Sequence, residues 1–261
     1  MKNKKEEFDI IIIGAGLSGL TLAYELSNKT KKKILILEKK KKFYHDRNWC
    51  FWNYPKNPFT KNFDNSWKKI SIIINNNKIT HTSPQIKYLH INSLNFYNKI
   101  LKLIKKNVTI LMEQNITAIN YEDNNNVVIS NKKKYQSKLI FDSRPLIYKK
   151  KIGLFQHFYG EELEFKEDIF DKNEVILMDF QPYNNGVHFF YILPYSKNKA
   201  LIETTYFSTK IFNKTKYIND ISSYVKEKYG NIKFKKKYTE FGVIPMFRSK
   251  IEKKTSNQII K

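Results

Sequence analysis

A glycine-rich turn near the start of the chain constrains its fold more than any other feature of the sequence. The apolar run Phe8–Ile13 is typical of a buried parallel strand, and it leads directly into Gly14-Ala15-Gly16-Leu17-Ser18-Gly19. Apolar residues at helical spacing follow over Leu20–Ser27, and a second apolar run covers Ile34–Leu37. That run is followed at once by Glu38, 19 residues after the third glycine. The segment therefore predicts strand, turn, helix, strand and acid in succession.

This order is the pattern of a dinucleotide-binding βαβ unit. Gly14 and Gly16 allow a tight turn against a pyrophosphate, and Gly19 allows the helix to approach the strand closely. The N-terminus of the helix faces the phosphates, and Glu38 accepts hydrogen bonds from a ribose. The motif alone does not distinguish FAD from NAD. The residues predicted to bind the dinucleotide are Gly14, Ala15, Gly16, Leu17, Ser18, Gly19 and Glu38.

The rest of the chain predicts more strands than helices. Residues 39–66 are predicted as a long loop, and Lys69–Ile74 and Lys78–His81 as a hairpin around the turn residues Asn75–Asn77. The other predicted elements are a helix that begins at Asn92 or Ser93, a helix over Ile218, Ile221 and Val225 that ends before Gly230, and the strands Val108–Met112, Ile116–Tyr121, Val127–Ser130, Lys138–Phe141, Gln156–Phe165, Val175–Phe180, Val187–Leu193 and Leu201–Phe207.

This order of elements predicts an α/β fold, with a Rossmann-like βαβ domain and an interleaved, mostly antiparallel β-sheet substrate domain. We assign residues 1–65 and 86–150 to the dinucleotide-binding domain, and residues 66–85 and 151–248 to the substrate domain. The chain is 41% hydrophobic and 15% aromatic, so it can bury a sizeable core, and global disorder is excluded.

The chain is strongly basic, with 48 Lys and Arg against 24 Asp and Glu. Only three of the 48 are arginines, whereas phosphate and base recognition relies on arginine forks. We therefore expect mostly solvated lysines and no nucleic-acid partner, with attraction to an anionic membrane surface as the next alternative. No apolar run reaches the ~18 residues that a spanning helix needs. The single cysteine, Cys50, excludes a disulfide framework and a multi-cysteine metal site, and no metal is predicted.

A second motif adds a specific resemblance. Together with the glycine turn, the segment Asp46-Arg47-Asn48-Trp49-Cys50-Phe51-Trp52 is similar to the bacterial lycopene cyclase family. The chain departs from that family at Asn48, where threonine is common, and at Pro145, where relatives often place a glycine or an aromatic residue. Further matches follow in order over nearly the whole chain: Phe141-Asp142-Ser143-Arg144, Gln156-His157-Phe158 with Gly160, Leu177-Met178-Asp179-Phe180, Phe190-Tyr191-Ile192-Leu193-Pro194, Ile202-Glu203-Thr204-Thr205-Tyr206 and Gly242-Val243-Ile244-Pro245-Met246.

The resemblance implies the chemistry of a lycopene β-cyclase. A proton is added to a linear end group of lycopene, an internal double bond attacks the cation, and loss of a proton leaves the β-ionone ring of β-carotene. No net redox change occurs, and reduced FAD, formed with NAD(P)H as reductant, stabilises the positive charge. Glu203 matches the family's Glu-x-Thr region and is predicted as the acid–base residue. Asp179 is predicted as a second carboxylate, and Asp142 as a cofactor contact.

The resemblance also implies a location and a missing segment. Lycopene is lipophilic, so the protein is expected in the cytoplasm, peripherally bound at the inner face of the membrane. FAD enzymes of this class carry a late glycine-rich segment that closes over the flavin. We expect residues 249–261 to begin that segment and the remainder to be absent, which would leave the chain alone inactive.

Two alternatives remain open at the level of sequence. One is an FAD-dependent monooxygenase or isoprenoid reductase on the same fold, and the other is a non-enzymatic basic module for a membrane surface or nucleic acid. Aromatic residues could line a tunnel for a cationic intermediate, because a cation over a desolvated ring gains about 2 kcal/mol. For each one singly, core packing is the competing interpretation: Trp49, Phe51, Trp52, Phe189, Phe190, Tyr191 and Tyr206.

Overall fold

The computed structural model describes residues 5–54, 63–144, 153–246 and 259–260. Its helices are α1 (Leu17–Lys29), α2 (Ser93–Leu103) and α3 (Lys214–Tyr229). Its strands are β1 (Glu6–Glu7), β2 (Ile10–Ile13), β3 (Ile34–Leu37), β4 (Asn48–Trp52), β5 (Asn65–Trp67), β6 (Lys69–Ile74), β7 (Asn77–Thr82), β8 (Tyr88–Asn92), β9 (Val108–Leu111), β10 (Ile116–Glu122), β11 (Asn125–Ser130), β12 (Lys133–Ser137), β13 (Leu139–Asp142), β14 (Leu154–Phe165), β15 (Glu174–Gln181), β16 (Val187–Pro194), β17 (Lys199–Ser208), β18 (Phe234–Met246) and β19 (Ile259–Ile260).

The chain divides into two compact units, each built from separated stretches. Unit 1 contains Met1–Asp46, Asn92–Tyr148 and Lys250–Lys261, and unit 2 contains Arg47–Ile91 and Lys149–Ser249. The first boundary between the units therefore lies after Asp46, whereas the sequence predicts it after residue 65. The difference arises because β4 hydrogen-bonds to β8 and β8 to β5, which ties these three strands together in unit 2.

Unit 1 is centred on a five-stranded sheet in the order β19-β13-β2-β3-β9, with every neighbouring pair parallel. All residues of β2 and β3 are buried, as expected for strands covered on both faces. α1 connects these two strands and so completes a βαβ unit. A second sheet, in the order β1-β12-β11-β10, packs Val128 and Tyr135 against β2 and β3 in one apolar cluster.

Unit 2 is built on a seven-stranded sheet in the order β18-β14-β17-β16-β15-β6-β7. It is antiparallel except for the β15–β6 pair. One face packs on α3 through a cluster that includes Tyr159, Phe190 and Tyr224. The other face packs on the small sheet β4-β8-β5, where Trp67 is buried against Leu193 and Leu201.

The α/β fold predicted from the sequence is confirmed, and several elements match closely. β3 has the predicted bounds, and the β6–β7 hairpin turns through Asn75 and Asn76, both with positive φ. Asn92 caps α2 by accepting a hydrogen bond from the N–H of Asn95, and Gly230, with φ of 82°, ends α3.

Other predictions were wrong or fall outside the described residues. Residues 39–66 are not one loop, because β4 and the first residues of β5 lie within them, while β8, β12 and β18 were not predicted. α1 begins at Leu17 rather than at Leu20. Pro145 and most of the predicted 249–261 segment lie outside the described residues, and Ile259–Ile260 form β19 beside β13.

Candidate functional site

The glycine turn after β2 has the backbone geometry that its sequence predicts. Gly14 adopts a φ of 100°, a conformation that residues with a side chain rarely adopt. A Cβ on Gly14 would overlap the hydroxyl oxygen of Ser143, and a Cβ on Gly19 would overlap the carbonyl oxygen of Gly14. Glycine at these two positions therefore lets the helix and the end of β13 approach the turn.

Gly16 differs from the other two glycines of the motif because it faces open space. A Cβ built on Gly16 meets no heavy atom within 4 Å. Gly16 is also the N-cap of α1, where no side chain caps the helix and no acidic residue lies in the first turn. The N–H groups of Leu17 and Ser18 lie in that first turn and have no acceptor within the helix. The open space beside Gly16 therefore borders the N-terminus of α1. The partial positive charge of a helix N-terminus favours the binding of a phosphate.

Glu38 follows β3, and its carboxylate folds back onto the turn. Its Oε2 accepts a hydrogen bond from the N–H of Ala15 at 2.6 Å, and its Oε1 accepts one from the N–H of Lys40 at 2.8 Å. The residue is only 7% exposed. These bonds fix the acid beside the glycine turn, where the ribose of a bound dinucleotide lies in folds of this kind.

Asp142 reaches the same edge of the parallel sheet, because it ends β13 and pairs with Ile13 at the end of β2. Its buried carboxylate is held by Arg144 in a bidentate pair, with Nε donating to Oδ1 at 2.8 Å and Nη2 donating to Oδ2 at 2.9 Å. This pairing raises the pKa of the Arg144 guanidinium. The structure thus brings together Gly14, Glu38 and Asp142, and a direct contact of Asp142 with a cofactor stays a prediction.

A row of three residues in unit 2 forms the second candidate site. Gly160 on β14 pairs with Glu203 on β17 on one side and with Glu240 on β18 on the other. Paired residues of neighbouring strands point to the same face, so both carboxylates share the face covered by the small sheet β4-β8-β5. A Cβ on Gly160 would lie 3.3 Å from Cγ of Glu240 and 3.5 Å from Cβ of Glu203. The glycine thus leaves nothing but backbone between the two acidic side chains.

The Glu203 carboxyl is held in an environment that favours its protonated form. Desolvation raises the pKa of Glu203 from 4.5 to about 8, with the charge of Glu240 as the second cause. The hydroxyl of Thr205 donates to Oε1 of Glu203 at 2.7 Å and acts in the opposite direction. Glu203 as a whole residue is half-buried.

Glu240 is anchored more firmly than Glu203. Its Oε2 accepts hydrogen bonds from the backbone N–H and from the side-chain Nδ2 of Asn48, both at 3.1 Å. The side-chain oxygen Oδ1 of Asn48 lies 2.9 Å from Nε2 of His90, and Nδ2 of Asn65 lies 3.2 Å from the other ring nitrogen, Nδ1. Desolvation raises the pKa of Glu240, and the bonds from Asn48 oppose that rise.

Three further side chains, those of Cys50, Tyr88 and Tyr191, lie near Glu203. Cys50 on β4 is hydrogen-bonded with the hydroxyl groups of Tyr191 and Tyr88, and Tyr191 donates to Tyr88 at 3.1 Å. Burial raises the pKa of the Cys50 thiol to about 12, so the thiol stays neutral and unreactive. Burial also raises the pKa of both tyrosines. The site is therefore a desolvated carboxyl beside neutral aromatic hydroxyls.

Asp179 does not join this site. It pairs with Phe190, which in turn pairs with Thr204, and these residues lie on the face covered by α3. There its Oδ2 accepts a hydrogen bond from the Tyr224 hydroxyl at 2.6 Å and forms an ion pair with Lys228. Because Glu203 is adjacent to Thr204 in the strand, its side chain points to the opposite face. The structure separates the two predicted catalytic carboxylates.

Strand alternation also divides the predicted tunnel residues. On the Glu203 face lie Phe189 and Tyr191, and on the α3 face lie Phe190 and Tyr206. On β4, Trp52 shares the side of Cys50 and packs on Tyr88 with ring centroids 4.8 Å apart, whereas Trp49 and Phe51 alternate to the other side. Phe190 and Tyr206 are therefore core residues.

The sequence interpretation missed Glu240, Tyr88 and His90. Tyr88 and His90 lie on β8, an element that was not predicted. Glu240 has no local signal of its own, because it gains a role only from pairing with Gly160. Within residues 5–54, 63–144, 153–246 and 259–260, no group of three or more His, Cys, Asp or Glu is arranged to hold a metal ion.

Comparison with solved structures defines the class of fold. Across 92% of its length the chain is similar to the flavin-dependent monooxygenase PieE in complex with FAD and substrate, with a TM-score of 0.69 and 8% identity. It is also similar, over 93%, to a geranylgeranyl bacteriochlorophyll reductase-like protein from Thermoplasma acidophilum, with a TM-score of 0.68 and 13% identity. The halogenase PltM in complex with phloroglucinol and FAD matches over 90%, with a TM-score of 0.66 and 10% identity.

These similarities place the chain in the fold of the FAD-binding Rossmann-type flavoproteins. The chain spans 50% of the PieE chain, 67% of the Thermoplasma chain and 60% of the PltM chain. Among curated proteins, none matches this chain in sequence.

The sequence match to a family model is more specific than the fold. The family model described as "Lycopene cyclase protein" matches residues 9–260. This range includes the glycine turn and the row formed by Gly160, Glu203 and Glu240. The chain belongs to the lycopene cyclase family. No helix of the described part of the chain is long and apolar enough to cross a membrane.

Proposed function

We propose that this chain belongs to a lycopene β-cyclase, which closes the linear end groups of lycopene into β-ionone rings and so forms β-carotene. One observation carries the proposal: Glu203 lies in a desolvated site and faces a second carboxylate, Glu240, across Gly160, and together these raise its pKa to about 8 and favour the protonated form at neutral pH. A general acid works best when its pKa is close to the working pH. Membership of the lycopene cyclase family supports the substrate.

The residues of unit 1 fit FAD. The open space at Gly16, next to the uncapped N-terminus of α1, would take the pyrophosphate, and Glu38 would accept hydrogen bonds from the ribose. Leu17 and Ser18 would supply backbone N–H groups, and Asp142 would lie at the same edge of the sheet. When bound and reduced with NAD(P)H, FAD would supply negative charge that favours a cation.

The side chains of unit 2 carry the proton. Glu203 donates its proton to the terminal double bond of lycopene, so that its O–H bond breaks and a C–H bond forms. The internal double bond closes the ring, and a ring carbon returns a proton to the Glu203 carboxylate. Phe189 and Tyr191 lie on the same face and offer aromatic surface toward a cation. Atoms and electrons balance without net oxidation or reduction.

The substrate implies a membrane surface as partner. Lycopene resides in lipid, so we propose that the protein acts from the cytoplasm, bound peripherally at the inner face of the membrane. A net charge of +24 suits an anionic lipid surface.

Pigment analysis tests the catalytic assignment. The complete reading frame that contains these residues is expressed in lycopene-accumulating cells, as wild type and as Glu203→Gln, and the pigments are separated by chromatography. The amide keeps the size of the side chain but cannot deliver a proton, so we expect β-carotene formation to fall by about 10²–10⁴-fold.

Glu162→Gln is the matched control. Glu162 lies on the same face one row away, but it is ion-paired with Lys199, and the variant should keep its activity. Equal β-carotene from wild type and Glu203→Gln would remove Glu203 from the mechanism. NADPH oxidation in step with turnover would instead indicate a monooxygenase or an isoprenoid reductase.

A pair of glycine variants tests the cofactor site. Gly16→Val adds a side chain to open space, so the protein should stay folded but lose FAD. Gly19→Ala forces a Cβ onto the carbonyl oxygen of Gly14, so it should lower the thermal midpoint of unfolding as well. If Gly16→Val retains its flavin absorbance and affinity after purification, the glycine turn does not bind the pyrophosphate.

A further inference from the structure

We infer that Glu240 is a positioning residue for the acid–base reaction. Asn48 holds the Glu240 carboxylate in place, and this carboxylate, which lies across Gly160 from Glu203, keeps the proton on Glu203. The inference rests on the proposed acid role of Glu203 and adds a second carboxylate to it. Neither the sequence motifs nor the family resemblance assigned a role to Glu240.

The geometry of the row supports an interaction between the two carboxylates. Glu203 and Glu240 occupy the two strands on either side of β14, in register with the same residue, Gly160. Any other residue at that position would place a side chain between them, since a Cβ there already lies within 3.3 Å of Glu240 and 3.5 Å of Glu203. Because the site is desolvated, two negative charges on the row would repel strongly.

The hydrogen bonds decide which of the two acids is ionised. Two donors of Asn48 converge on a single oxygen of Glu240, and the hydroxyl of Tyr238 approaches the same oxygen at 3.5 Å. A carboxylate that accepts several hydrogen bonds is stabilised in its charged form. Among the residues that the structure describes, Glu203 has one such donor, Thr205. Glu240 therefore holds the negative charge of the pair, and Glu203 holds the proton.

The anchor itself is held in one orientation. Oδ1 of Asn48 can only accept, so Nε2 of His90 carries the hydrogen, and Nδ1 of His90 accepts from Nδ2 of Asn65. This order directs the amide hydrogens of Asn48 at Glu240. The chain from Asn65 through His90 and Asn48 thus fixes the position of the Glu240 charge.

The titratable groups around the pair preserve this arrangement. Burial raises the pKa values of Cys50, Tyr88, Tyr191 and Tyr195, so these groups are neutral at physiological pH. Desolvation raises the pKa of Glu240, and the positive charge of Arg47, which precedes β4, opposes that rise.

The pair has a clear consequence for the proposed reaction. When Glu203 donates its proton, two neighbouring carboxylates carry charge, which favours a cation in the site. The same repulsion favours return of the proton from the ring carbon to Glu203. Glu240 makes and breaks no covalent bond in this cycle.

Infrared titration of the purified protein tests the inference without substrate. The carbonyl band of the protonated Glu203 carboxyl is assigned by its loss in Glu203→Gln, and its midpoint is followed with pH. Glu240→Gln removes the charge and keeps an oxygen for Asn48, so we expect the midpoint to fall by at least one pH unit, a tenfold change in the proton dissociation constant. Glu240→Asp keeps the charge and should retain a raised midpoint.

Glu162→Gln is again the control, since that carboxylate is neutralised by Lys199 and should shift the midpoint less than Glu240→Gln does. Equal midpoints in wild type and Glu240→Gln would overturn the inference. A coupled pair loses its protons in two steps, and Asn48→Ala should raise the pH of the first step, because ionised Glu240 loses a donor. This second variant tests the idea even if Glu240→Gln fails to fold, and an unchanged first step would count against it.

Failure of this inference and failure of the proposed function give different results. If the midpoint moves but no β-carotene forms, the carboxyl pair exists and the cyclase proposal fails. If β-carotene forms and the midpoint does not move, Glu203 acts without Glu240. If both hold, the alkaline limit of cyclisation in Glu240→Gln should move to lower pH together with the infrared midpoint.

Discussion

The two faces of the seven-stranded sheet treat a buried carboxylate in opposite ways. On the α3 face, Asp179 is 4% exposed and is paired with the ammonium group of Lys228 and the hydroxyl of Tyr224. On the other face, Glu203 has a second carboxylate, Glu240, for a neighbour. The ion pair between Asp179 and Lys228 ties the strand to the helix. An anionic partner in a desolvated site keeps a proton on the acid.

The histidines extend the contrast. His157 and His188 lie on the α3 face, and desolvation lowers the pKa of each, to about 4 for His188. His188 is stacked on Tyr206 with ring centroids 3.9 Å apart. The α3 face therefore requires neutral histidines, while the opposite face requires a protonated glutamate, and the two faces should respond to pH in opposite directions.

The largest expected effect is the loss of stability that Glu203 causes as the pH rises. Its folded pKa of about 8 lies above the unfolded value of 4.5, so this group stabilises the protein below pH 4.5, and the contribution is lost as pH rises toward 8. Glu203→Gln should abolish that loss, which amounts to about 4 kcal/mol in the free energy of unfolding. Urea titrations of both proteins between pH 4.5 and 9 measure it. Parallel pH profiles would show that Glu203 does not hold its proton in the folded state.

His188 gives the opposite slope on the α3 face. Its folded pKa of about 4 lies below the unfolded value of 6.5, so its contribution is present above pH 6.5 and is lost as pH falls toward 4. We expect the free energy of unfolding of His188→Gln to fall by about 3 kcal/mol less than that of the wild type as the pH is lowered. The comparison uses the slope of the free energy of unfolding against pH, because the substitution also changes its absolute value. A wild-type slope in the variant would assign the acid response elsewhere, with His157 the first candidate.

Removal of the Lys228 ammonium group should reduce the difference between the two faces in how a buried carboxylate is held. Lys228→Met leaves the Asp179 carboxylate buried without its ion-pair partner. Loss of one member of a fully buried ion pair costs about 3–5 kcal/mol. Here only Asp179 is buried and the Lys228 side chain is 32% exposed, so we expect about 2 kcal/mol in the free energy of unfolding. Lys226→Met, an exposed position of the same helix, should change little. If both variants unfold alike, the ion pair contributes nothing to the difference between the faces.

The smallest expected effect is that of Gly160→Ala. Its Cβ would lie 3.1 Å from Cδ1 of Leu201 and 3.3 Å from Cγ of Glu240, which requires small shifts and costs about 1 kcal/mol. Gly153→Ala serves as control, because its Cβ would meet only the carbonyl oxygen of Met246, at 3.7 Å. Thermal unfolding of the two variants compares them, and an unchanged midpoint for Gly160→Ala would mean that the row has room for a side chain.

Local sequence signals were sufficient to predict the glycine turn of unit 1. They were insufficient to predict the row of Gly160, Glu203 and Glu240 in unit 2. The glycine turn, β3 and Glu38 lie close together in the sequence, so spacing alone identified them. The cap of α2 and the end of α3 depend on single residues, Asn92 and Gly230. In each case the physical cause lies within a few residues of its effect.

The missed elements depend on partners that are distant in the chain. β18 is an edge strand with mostly exposed residues, including Lys235–Lys237, so its composition resembles that of a solvated loop. β4 is short and half-buried throughout, without an alternating apolar pattern. The separation of Asp179 from Glu203 follows from strand register, and register cannot be read from either residue alone.

The central position of β2 has a consequence for synthesis of the protein. β2 is paired with β3 on one side, but Ile10 receives its other neighbour only when Leu139 has been made. At about 5–20 residues per second, the ribosome needs roughly 6–25 s to produce that stretch. During this interval a strand of four isoleucines exposes one edge in the nascent chain. The protein should therefore depend on chaperones during translation, and slower elongation between residues 40 and 139 should lower its soluble yield.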